Sequence, residues 1–473
     1  MVRFKATLVF GAVLLLACGL IGLNSCSSGS TGNQQPPPPT NKIKHVVIIL
    51  QENRTPDNLF HDPVLINRGA DIASTGPVSN GQTVPLMPVP LGISYDFGHA
   101  HASFLQGWNN GLMNAFDKDG VYCPPAQPDC APSYAQYQYV QASDVQPYFT
   151  LAETYTFGDR MFQTNQGPSF AAHQFILSGT SAISETSNIY AAEVPLLTNG
   201  LPGCASPPDS TVQLIDTTNP NPATNETTTA YPCFDHPTMT DLLNANSISW
   251  KYYTATPGSL WTAPASVEHM CGPNVTPPNA TGCTGSDWMN HVVMPETTVL
   301  TDIAAGQLAS VSWVIPRGQN SDHPAYGENN GGPSWVASIV NAIGTSSYWS
   351  DTAIIIAWDD WGGWYDHVPP PSIYNSYEYG FRVPLIVVSA YAKPGYISHQ
   401  NYDFGSVPKF VETTFNLGEI DPTVHYADSR AVDFYGDCFD MTQTPLTFTP
   451  IPAPLGPDYF LNDKRVPAPA DDD

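Results

Sequence analysis

Two pairs of acidic or amide side chains directly follow apolar, β-branched runs of the chain. Glu52 and Asn53 follow one such run, and Asp359 and Asp360 follow another. In open α/β sheets, ligands bind beyond the carboxyl ends of the strands. Carboxylate and amide oxygens suit a hard divalent cation, and adjacent carboxylates repel each other unless a cation or a proton neutralises one. We therefore predict a metal site, the alternatives being a helix-capping turn at the first pair and a solvated acidic turn at the second.

The tripeptide Gly167-Pro168-Ser169 precedes a helical pattern. A serine hydroxyl at a helix start lies beside free backbone N–H groups and the positive end of the helix dipole, and both favour the oxygens of a phosphoryl group. The hydroxyl is a weak nucleophile that a metal would have to activate. We predict that Ser169 attacks phosphorus and is also a metal ligand. The alternative is an ordinary N-cap serine.

Three loop histidines lie close to aspartates, namely His99, His323 and His367. A neighbouring aspartate can orient such a ring, which can then donate to phosphate oxygens or to a leaving group. A surface or structural role is the alternative for each. Three further histidines are weaker candidates: His101, His173 and His291.

Composition excludes some classes of function. The 473 residues include 16 Lys and Arg but 42 Asp and Glu, for a net charge of -26. This balance argues against a general nucleic-acid binder and against electrostatic docking on anionic lipid, because both require cationic side chains. It leaves open a small phosphate-bearing substrate held through a metal.

The first residues have the layout of an export signal. A short basic start is followed by an apolar run and small residues, so we interpret 1–26 as a signal peptide. Cys26 ends a sequence that resembles a lipobox and would tether the protein to a membrane if lipidated, with Cys18 as a poorer match. Simple secretion and a membrane-spanning anchor are the alternatives. The Ser-, Gly- and Pro-rich residues 27–41 are interpreted as an extended tether.

Seven cysteines follow the signal region. An exported protein meets oxidising conditions, which favour disulfides. Order along the chain suggests three local pairs, with Cys438 left as a free thiol: 123 with 130, 204 with 233, and 271 with 283. A zinc cluster is less favoured because the sequence has no CxxC pair.

Buried strands alternate with helical patterns, which predicts an α/β layered fold. The predicted strands are 43–50, 311–315, 352–358 and 383–389, and the predicted helices are 103–116, 170–177, 238–245 and 407–415. We assign 42–441 to a catalytic domain. Residues 182–310 are rich in Pro, Thr, Asn and Gly and are interpreted largely as loop excursions that form a cap or rim. Residues 442–473 are interpreted as a Pro-rich tail.

The segment 46–60, VVIILQENRTPDNLF, resembles the opening signature of the bacterial phospholipase C and acid phosphatase family, which belongs to the alkaline-phosphatase-like superfamily. Further matching motifs follow in the order typical of that family: DFGHAHASFLQGWNNGLMNAF, FGDRMFQTNQGPSFAAHQFILSGT, SDHPAYGENNGG, DTAIIIAWDDWGGWYDHVPPP and YGFRVPLIVVSAYAKPGYIS. The resemblance covers about 44–417. It implies an alkaline-phosphatase-like layered fold with a mostly parallel central sheet, helices on both faces and long loop-rich insertions.

The resemblance also implies roles for individual residues. The implied metal ligands are Glu52, Asn53, Ser169, Asp359 and Asp360, with Ser169 as the nucleophile. His99 and His323 match histidines that contact the phosphoryl group or its leaving oxygen, and His367 lies in the family's Asp-His-Val-Pro-Pro motif. The chain departs from the family at 55–57, Thr-Pro-Asp instead of Ser-Phe-Asp, and at 170–173, Phe-Ala-Ala-His instead of Asp-Pro-Asn-Arg.

We therefore expect an exported phosphoesterase that depends on a divalent metal ion and acts through a phosphoseryl intermediate. Its expected substrates are phospholipids or small phosphate esters, with no nucleic acid and no protein partner. The alternative is a catalytically silent cell-surface binding module on the same fold.

Overall fold

The computed structural model describes residues 42–196, 203–257, 259–371 and 374–468. The predicted signal peptide, Cys26 and the tether lie outside the described residues. None of the helices in the described ranges is both long enough and apolar enough to cross a membrane.

An eight-stranded sheet forms the centre of the fold, in the order β4-β3-β5-β1-β6-β7-β2-β8. Its strands are β1 (His45–Gln51), β2 (Thr156–Phe162), β3 (Trp250–Tyr253), β4 (Val292–Val293), β5 (Val311–Val314), β6 (Thr352–Trp358), β7 (Arg382–Ser389) and β8 (Tyr396–Ser398). All neighbouring strands are parallel except at β7, which is antiparallel to both β6 and β2. The predicted α/β class with a mostly parallel sheet is therefore confirmed.

The central strands are buried along nearly their whole length, as expected of parallel strands covered on both faces. Strands β1 and β6 pair from His45 with Thr352 to Gln51 with Trp358. The two strands therefore end side by side, and the residues that follow them emerge at the same edge of the sheet.

Seven helices in the described part of the chain have at least seven residues: α1 (His101–Trp108), α2 (Ala142–Thr154), α3 (Ser169–Ser178), α4 (Met239–Ala245), α5 (Thr298–Ala304), α6 (Gly331–Gly344) and α7 (Ser406–Phe415). They pack in two groups, since α6 contacts α2 and α5, while α3 contacts α4 and α7. Helix α1 begins and ends earlier than the predicted helix 103–116. It ends at Trp108 because Asn109 adopts a left-handed conformation that stops the helix.

Shorter elements complete the fold. Additional strands are Thr75–Pro77, Thr83–Pro85, Met87–Val89, Asp96–Phe97, Val121–Tyr122, Gln138–Val140, Ile189–Ala191, Val212–Asp216 and Thr228–Ala230. Short α-helices are Pro56–Leu59, Pro63–Asn67, Glu268–Cys271, Ser286–His291, Ala427–Arg430, Phe434–Cys438 and Pro457–Asn462.

The stretch 182–310 contains more of the core than the sequence suggested. It supplies strands β3 and β4 to the central sheet, in addition to its loops. The Pro-rich residues 442–468 pack against the domain, where the ring of Phe460 lies 5.2 Å from that of Trp335. This segment is therefore anchored by buried apolar contacts.

The three predicted disulfides are confirmed, linking Cys123 to Cys130, Cys204 to Cys233, and Cys271 to Cys283. Cys438 is a free thiol and is buried, as predicted for the unpaired cysteine. Burial raises the pKa of the Cys438 thiol to about 12, so the thiol stays protonated at neutral pH.

Candidate active site

Polar side chains from two adjacent parallel strands meet at the carboxyl edge of the sheet. Glu52 and Asn53 follow β1, and Asp359 and Asp360 follow β6. All four are fully buried. The structure therefore brings together two pairs that are about three hundred residues apart in the sequence, at the edge where open α/β sheets bind ligands.

The two oxygens of Asp359 have different environments. Oδ1 accepts hydrogen bonds from the backbone N–H groups of Asn53 at 3.0 Å and Asp360 at 2.8 Å. Oδ2 has no hydrogen-bond partner in the described part of the chain. Burial alone would raise the pKa of Asp359, but its interactions with His173 and Glu52 lower it overall. The site therefore contains an ionised carboxylate. Two backbone N–H groups hold its Oδ1, and its Oδ2 is available to bind a cation.

Asn53 is held in an unusual conformation. Its φ is 60°, in the left-handed region that asparagine tolerates better than most residues. Gly362 packs so closely that a β-carbon there would lie 2.6 Å from the Asn53 β-carbon. This contact with Asn53 requires glycine at 362, a residue whose type allows such close backbone approach.

His99 fixes the orientation of the Asn53 amide. Its Nδ1 lies 2.8 Å from the Phe97 carbonyl oxygen, which can only accept, so Nδ1 carries a proton. Its Nε2 lies 3.0 Å from Asn53 Nδ2 and accepts from that amide. Asn53 Oδ1 is consequently directed away from His99, and it has no hydrogen-bond partner among the described residues.

Ser169 is the first residue of α3 and lies beside Asp360. Its Oγ donates to Asp360 Oδ2 at 3.1 Å, while Asp360 Oδ1 accepts from the Gly362 N–H at 2.7 Å. Among the described residues no side chain caps α3, so the N–H groups of its first turn can bind an anion. The serine hydroxyl, an acidic cluster and a helix N-terminus therefore converge.

His173 also reaches this cluster. Its Nε2 lies 3.4 Å from Glu52 Oε1 and 3.6 Å from Asp359 Oδ2. From the sequence His173 is one of the weaker candidates, at a position where many members of the resembled family have arginine. The helical period could have identified it, because residues four apart, here 169 and 173, lie on the same face of a helix.

His323 lies near His99, with their ring centroids 6.2 Å apart, and is fully buried. Its Nδ1 donates to the Pro324 carbonyl at 2.5 Å, so proton exchange with a ligand would use Nε2. The preceding Asp322 accepts from the hydroxyl of Tyr148 at 2.8 Å. Burial raises the pKa of Asp322 to about 6, although Arg54 and hydrogen bonds oppose the shift. These contacts fix the loop that carries His323.

His367 belongs to a different cluster. Its Nδ1 lies 2.7 Å from Asp57 and its Nε2 lies 3.0 Å from Asp71. The fully buried Arg382 contacts Asp57 and binds Asp366 through two nitrogens. None of the described contacts of His367 joins it to Ser169. This ion-pair network was not predicted, because its members are distant in the sequence.

The His367 cluster should make stability depend on pH. Burial lowers the pKa of His367, but hydrogen bonding and charge from Asp57 raise it to about 9 overall. A raised pKa stabilises the folded state below the ordinary value near 6.5, and this contribution is lost as pH rises through about 9. We expect His367→Gln to reduce the free energy of unfolding by about 1–3 kcal/mol at pH 6 and by less at pH 10.

Urea unfolding at the two pH values measures this effect. His425→Gln is the control, because His425 pairs with Glu419 at the exposed surface. An equal loss of stability for His367→Gln at pH 6 and pH 10 would contradict the proposed ion pair.

The other two weaker candidates lie elsewhere. His101 Nδ1 lies 2.9 Å from Glu226 Oε2, and its Nε2 lies 3.2 Å from Gln166 Oε1. His101 and Gln166 line a cavity of about 780 Å³. His101 and Gln166 lie two and three residues from His99 and Ser169 in the sequence, although neither His99 nor Ser169 lines the cavity. His291 stacks on Trp250, with centroids 4.3 Å apart.

The donor set at the carboxyl edge fits a divalent cation. Three fully buried carboxylates, those of Glu52, Asp359 and Asp360, lie in adjacent positions. Such a concentration of negative charge is costly unless a cation compensates it. Asp359 Oδ2 and Asn53 Oδ1 are buried oxygens without hydrogen-bond partners in the described ranges. These are the oxygen types that hard divalent ions prefer.

Curated relatives are phospholipases C. The chain is 23% identical to the "Non-hemolytic phospholipase C" of Pseudomonas aeruginosa over 425 residues, covering 80% of this chain and 54% of that protein. It is 23% identical to "Phospholipase C A" of Mycobacterium tuberculosis over 429 residues, covering 79% of this chain and 73% of that protein. The chain thus spans about half the length of the Pseudomonas relative.

One solved structure and one family model are also similar to this chain. A protein in the alkaline phosphatase superfamily from Vibrio parahaemolyticus aligns at 13% identity with a TM-score of 0.36, covering 83% of this chain and 71% of that chain. The model of the Phosphoesterase family matches residues 43–418, which include the strand ends and the helix start that form the candidate site. Because this match extends over well more than half of the sequence, the chain belongs to the Phosphoesterase family.

Proposed function

We propose that the chain is an exported, metal-dependent phosphoesterase in which Ser169 is the nucleophile. The observation that carries this proposal is the contact of Ser169 Oγ with Asp360 Oδ2 at 3.1 Å, at the N-terminus of α3 and beside the buried acidic cluster. Family membership and the phospholipase C relatives support hydrolysis of phosphate esters.

Each residue at the edge of the sheet has a role in this proposal. Ser169 Oγ attacks phosphorus, the bond to the leaving alcohol breaks, and a phosphoserine forms that water then hydrolyses. The first-turn N–H groups of α3 bind the phosphoryl oxygens as negative charge develops on them. Residues that would hold the cation are Glu52, Asn53, Ser169, Asp359 and Asp360. When bound, a divalent ion would supply Lewis-acid stabilisation of the serine alkoxide and of the phosphoryl charge.

We propose that His323 protonates the leaving oxygen through Nε2, since its Nδ1 is held by a backbone carbonyl. Both nitrogens of His99 are engaged, one with the Phe97 carbonyl and the other with Asn53, so His99 orients the amide. His323 Nδ1 is held by a backbone carbonyl, and this fixes the plane of the ring while Nε2 exchanges the proton. We assign the acid role to His323 and a positioning role to His99. His367 is assigned to its ion-pair cluster.

The proposed substrates are phospholipids or small phosphate esters. The net charge of -26 disfavours approach of strongly anionic substrates, so a zwitterionic headgroup would suffer less repulsion. The cavity lined by His101 and Gln166 has the volume to hold such a headgroup, which stays on phosphorus when the leaving alcohol departs. The basic and apolar start of the sequence, the three disulfides and the tether support export, and lipidation of Cys26 would anchor the exported protein to a membrane.

A panel of substrates tests the proposed function. We expect the purified protein to hydrolyse phosphatidylcholine or a chromogenic phosphomonoester, to lose at least about 100-fold in rate with a chelator, and to recover when a divalent metal is restored. Failure to hydrolyse either class in any metal-loaded form would favour the silent binding module.

A further inference from the structure

His173 is a fully buried histidine whose ring nitrogens accept and donate no hydrogen bond within the described part of the protein. Neither Nδ1 nor Nε2 has a hydrogen-bond partner in the part of the chain that the structure describes. Buried polar groups normally have such partners, since an unpaired buried group costs about 1–3 kcal/mol. The ring therefore requires another explanation.

The surroundings of His173 Nε2 are those of a metal ligand. It lies 3.4 Å from Glu52 Oε1 and 3.6 Å from Asp359 Oδ2, and the three donor atoms lie within 4.8 Å of one another. These separations are long for hydrogen bonds. Two donors that each lie about 2.1 Å from one cation must lie within about 4.2 Å of each other, and both separations meet this condition. Asp359 Oδ2 also has no hydrogen-bond partner among the described residues.

The position of the ring in α3 makes this arrangement rigid. His173 lies one helical turn after Ser169, so both side chains project from the same face. Ser169 reaches Asp360, while His173 reaches Glu52 and Asp359. One helix therefore presents the nucleophile and an imidazole to the same acidic edge.

A nitrogen donor changes which ions the site prefers. Mg²⁺ and Ca²⁺ are bound by oxygen, whereas imidazole suits Zn²⁺ and other first-row transition ions. We propose that His173 Nε2 is a ligand of the active-site cation, which makes this a mixed nitrogen and oxygen site selective for a transition-metal ion. This inference rests on the proposed function, because it concerns the ion that the function requires.

Pulsed electron paramagnetic resonance of the Mn²⁺-loaded full-length protein tests the inference without relying on activity. We expect a hyperfine coupling from a directly bound ¹⁴N that changes to a ¹⁵N coupling when the histidines are isotopically labelled. The coupling should disappear in His173→Gln and persist in His291→Gln, because His291 stacks on Trp250. Absence of the coupling in the wild-type protein, or its persistence in His173→Gln, would overturn the inference.

Calorimetric titration with Zn²⁺ and with Mg²⁺ provides a second measurement. In His173→Gln, Zn²⁺ affinity should fall at least about tenfold, while Mg²⁺ affinity should change little. Equal losses for both ions would indicate general damage to the site and would also overturn the inference. Hydrolysis without nitrogen coupling would defeat only the ligand role, whereas coupling without hydrolysis would defeat only the proposed function.

Discussion

Ser169→Ala is expected to reduce turnover of any phosphate ester by at least about 10³-fold, because the substitution removes the atom that attacks phosphorus. The remaining activity would come from groups that still bind the phosphoryl oxygens. Substrate binding should change far less than turnover, since the cavity and the first turn of α3 are retained. Steady-state kinetics with one substrate of each class would measure both effects.

A matched control exists in the same helix. Ser178 is the last residue of α3, is fully buried, and has a hydroxyl without a hydrogen-bond partner in the described part of the chain. Ser178→Ala therefore makes the same chemical change at the far end of the helix, and it should leave turnover within about twofold because the hydroxyl has no contact to lose. Ser169→Ala keeping more than a tenth of the wild-type rate would contradict the nucleophile assignment.

The phosphoserine should be detectable directly. A ³²P-labelled substrate quenched in acid should leave label on the wild-type chain, and digestion should place that label in the peptide containing Ser169. Label on a histidine-containing peptide that lacks Ser169 would indicate a different nucleophile.

Local sequence signals predicted a large part of this arrangement. Runs of apolar, β-branched residues followed at once by polar pairs predicted β1 and β6 and located Glu52 and Asp359, because a buried strand and its carboxyl end are encoded within about ten neighbouring residues. The three disulfides followed from the order of the cysteines. These features require no knowledge of which distant segments meet.

Long-range features escaped prediction. Strand β3 has only four residues, WKYY, within a Pro- and Asn-rich stretch, and its burial depends on its neighbours in the sheet. The antiparallel direction of β7 is likewise set by topology, since its buried apolar run is typical of a parallel strand. The pairing of Arg382 with Asp57 joins residues 325 positions apart.

His173 is an intermediate case. Its helix was predicted, and its spacing from Ser169 placed it on the same face, but only the fold shows that this face meets both carboxylates. A histidine on a buried helix is more often a packed, hydrogen-bonded residue than a ligand. The orphaned ring nitrogens distinguish the two possibilities here, and they are a property of the three-dimensional structure.

Asp359→Asn is expected to separate the metal-binding role of this carboxylate from its structural role. The amide keeps nearly the same shape, and its oxygen can still accept from the backbone N–H groups that hold Oδ1. It removes a charge that the folded state favours, since burial alone would raise the pKa of Asp359 but interactions with His173 and Glu52 lower it below its ordinary value. The metal-free variant should therefore be modestly less stable than the metal-free wild-type protein at neutral pH.

The variant should also be stabilised less by metal. A ligand that binds only the folded state at 100 times its Kd stabilises that state by about 2.7 kcal/mol, so metal should raise the Tm of the wild-type protein by several degrees. With one anionic ligand lost, the affinity of Asp359→Asn should fall at least about 100-fold, and the same metal concentration should shift its Tm very little. Turnover should fall by a similar factor or more.

Thermal unfolding with and without metal measures both effects, and Asp117→Asn is the control. Asp117 is a half-buried loop carboxylate that accepts from the backbone and hydroxyl of Ser79. Its replacement should lower the Tm slightly and leave the metal-induced shift intact, because the residue has no contact with the acidic edge among its described hydrogen bonds. If metal-free Asp359→Asn unfolds far below the wild-type protein, the carboxylate is needed for folding itself. If it keeps the full metal-induced shift, Asp359 is not a ligand of the cation.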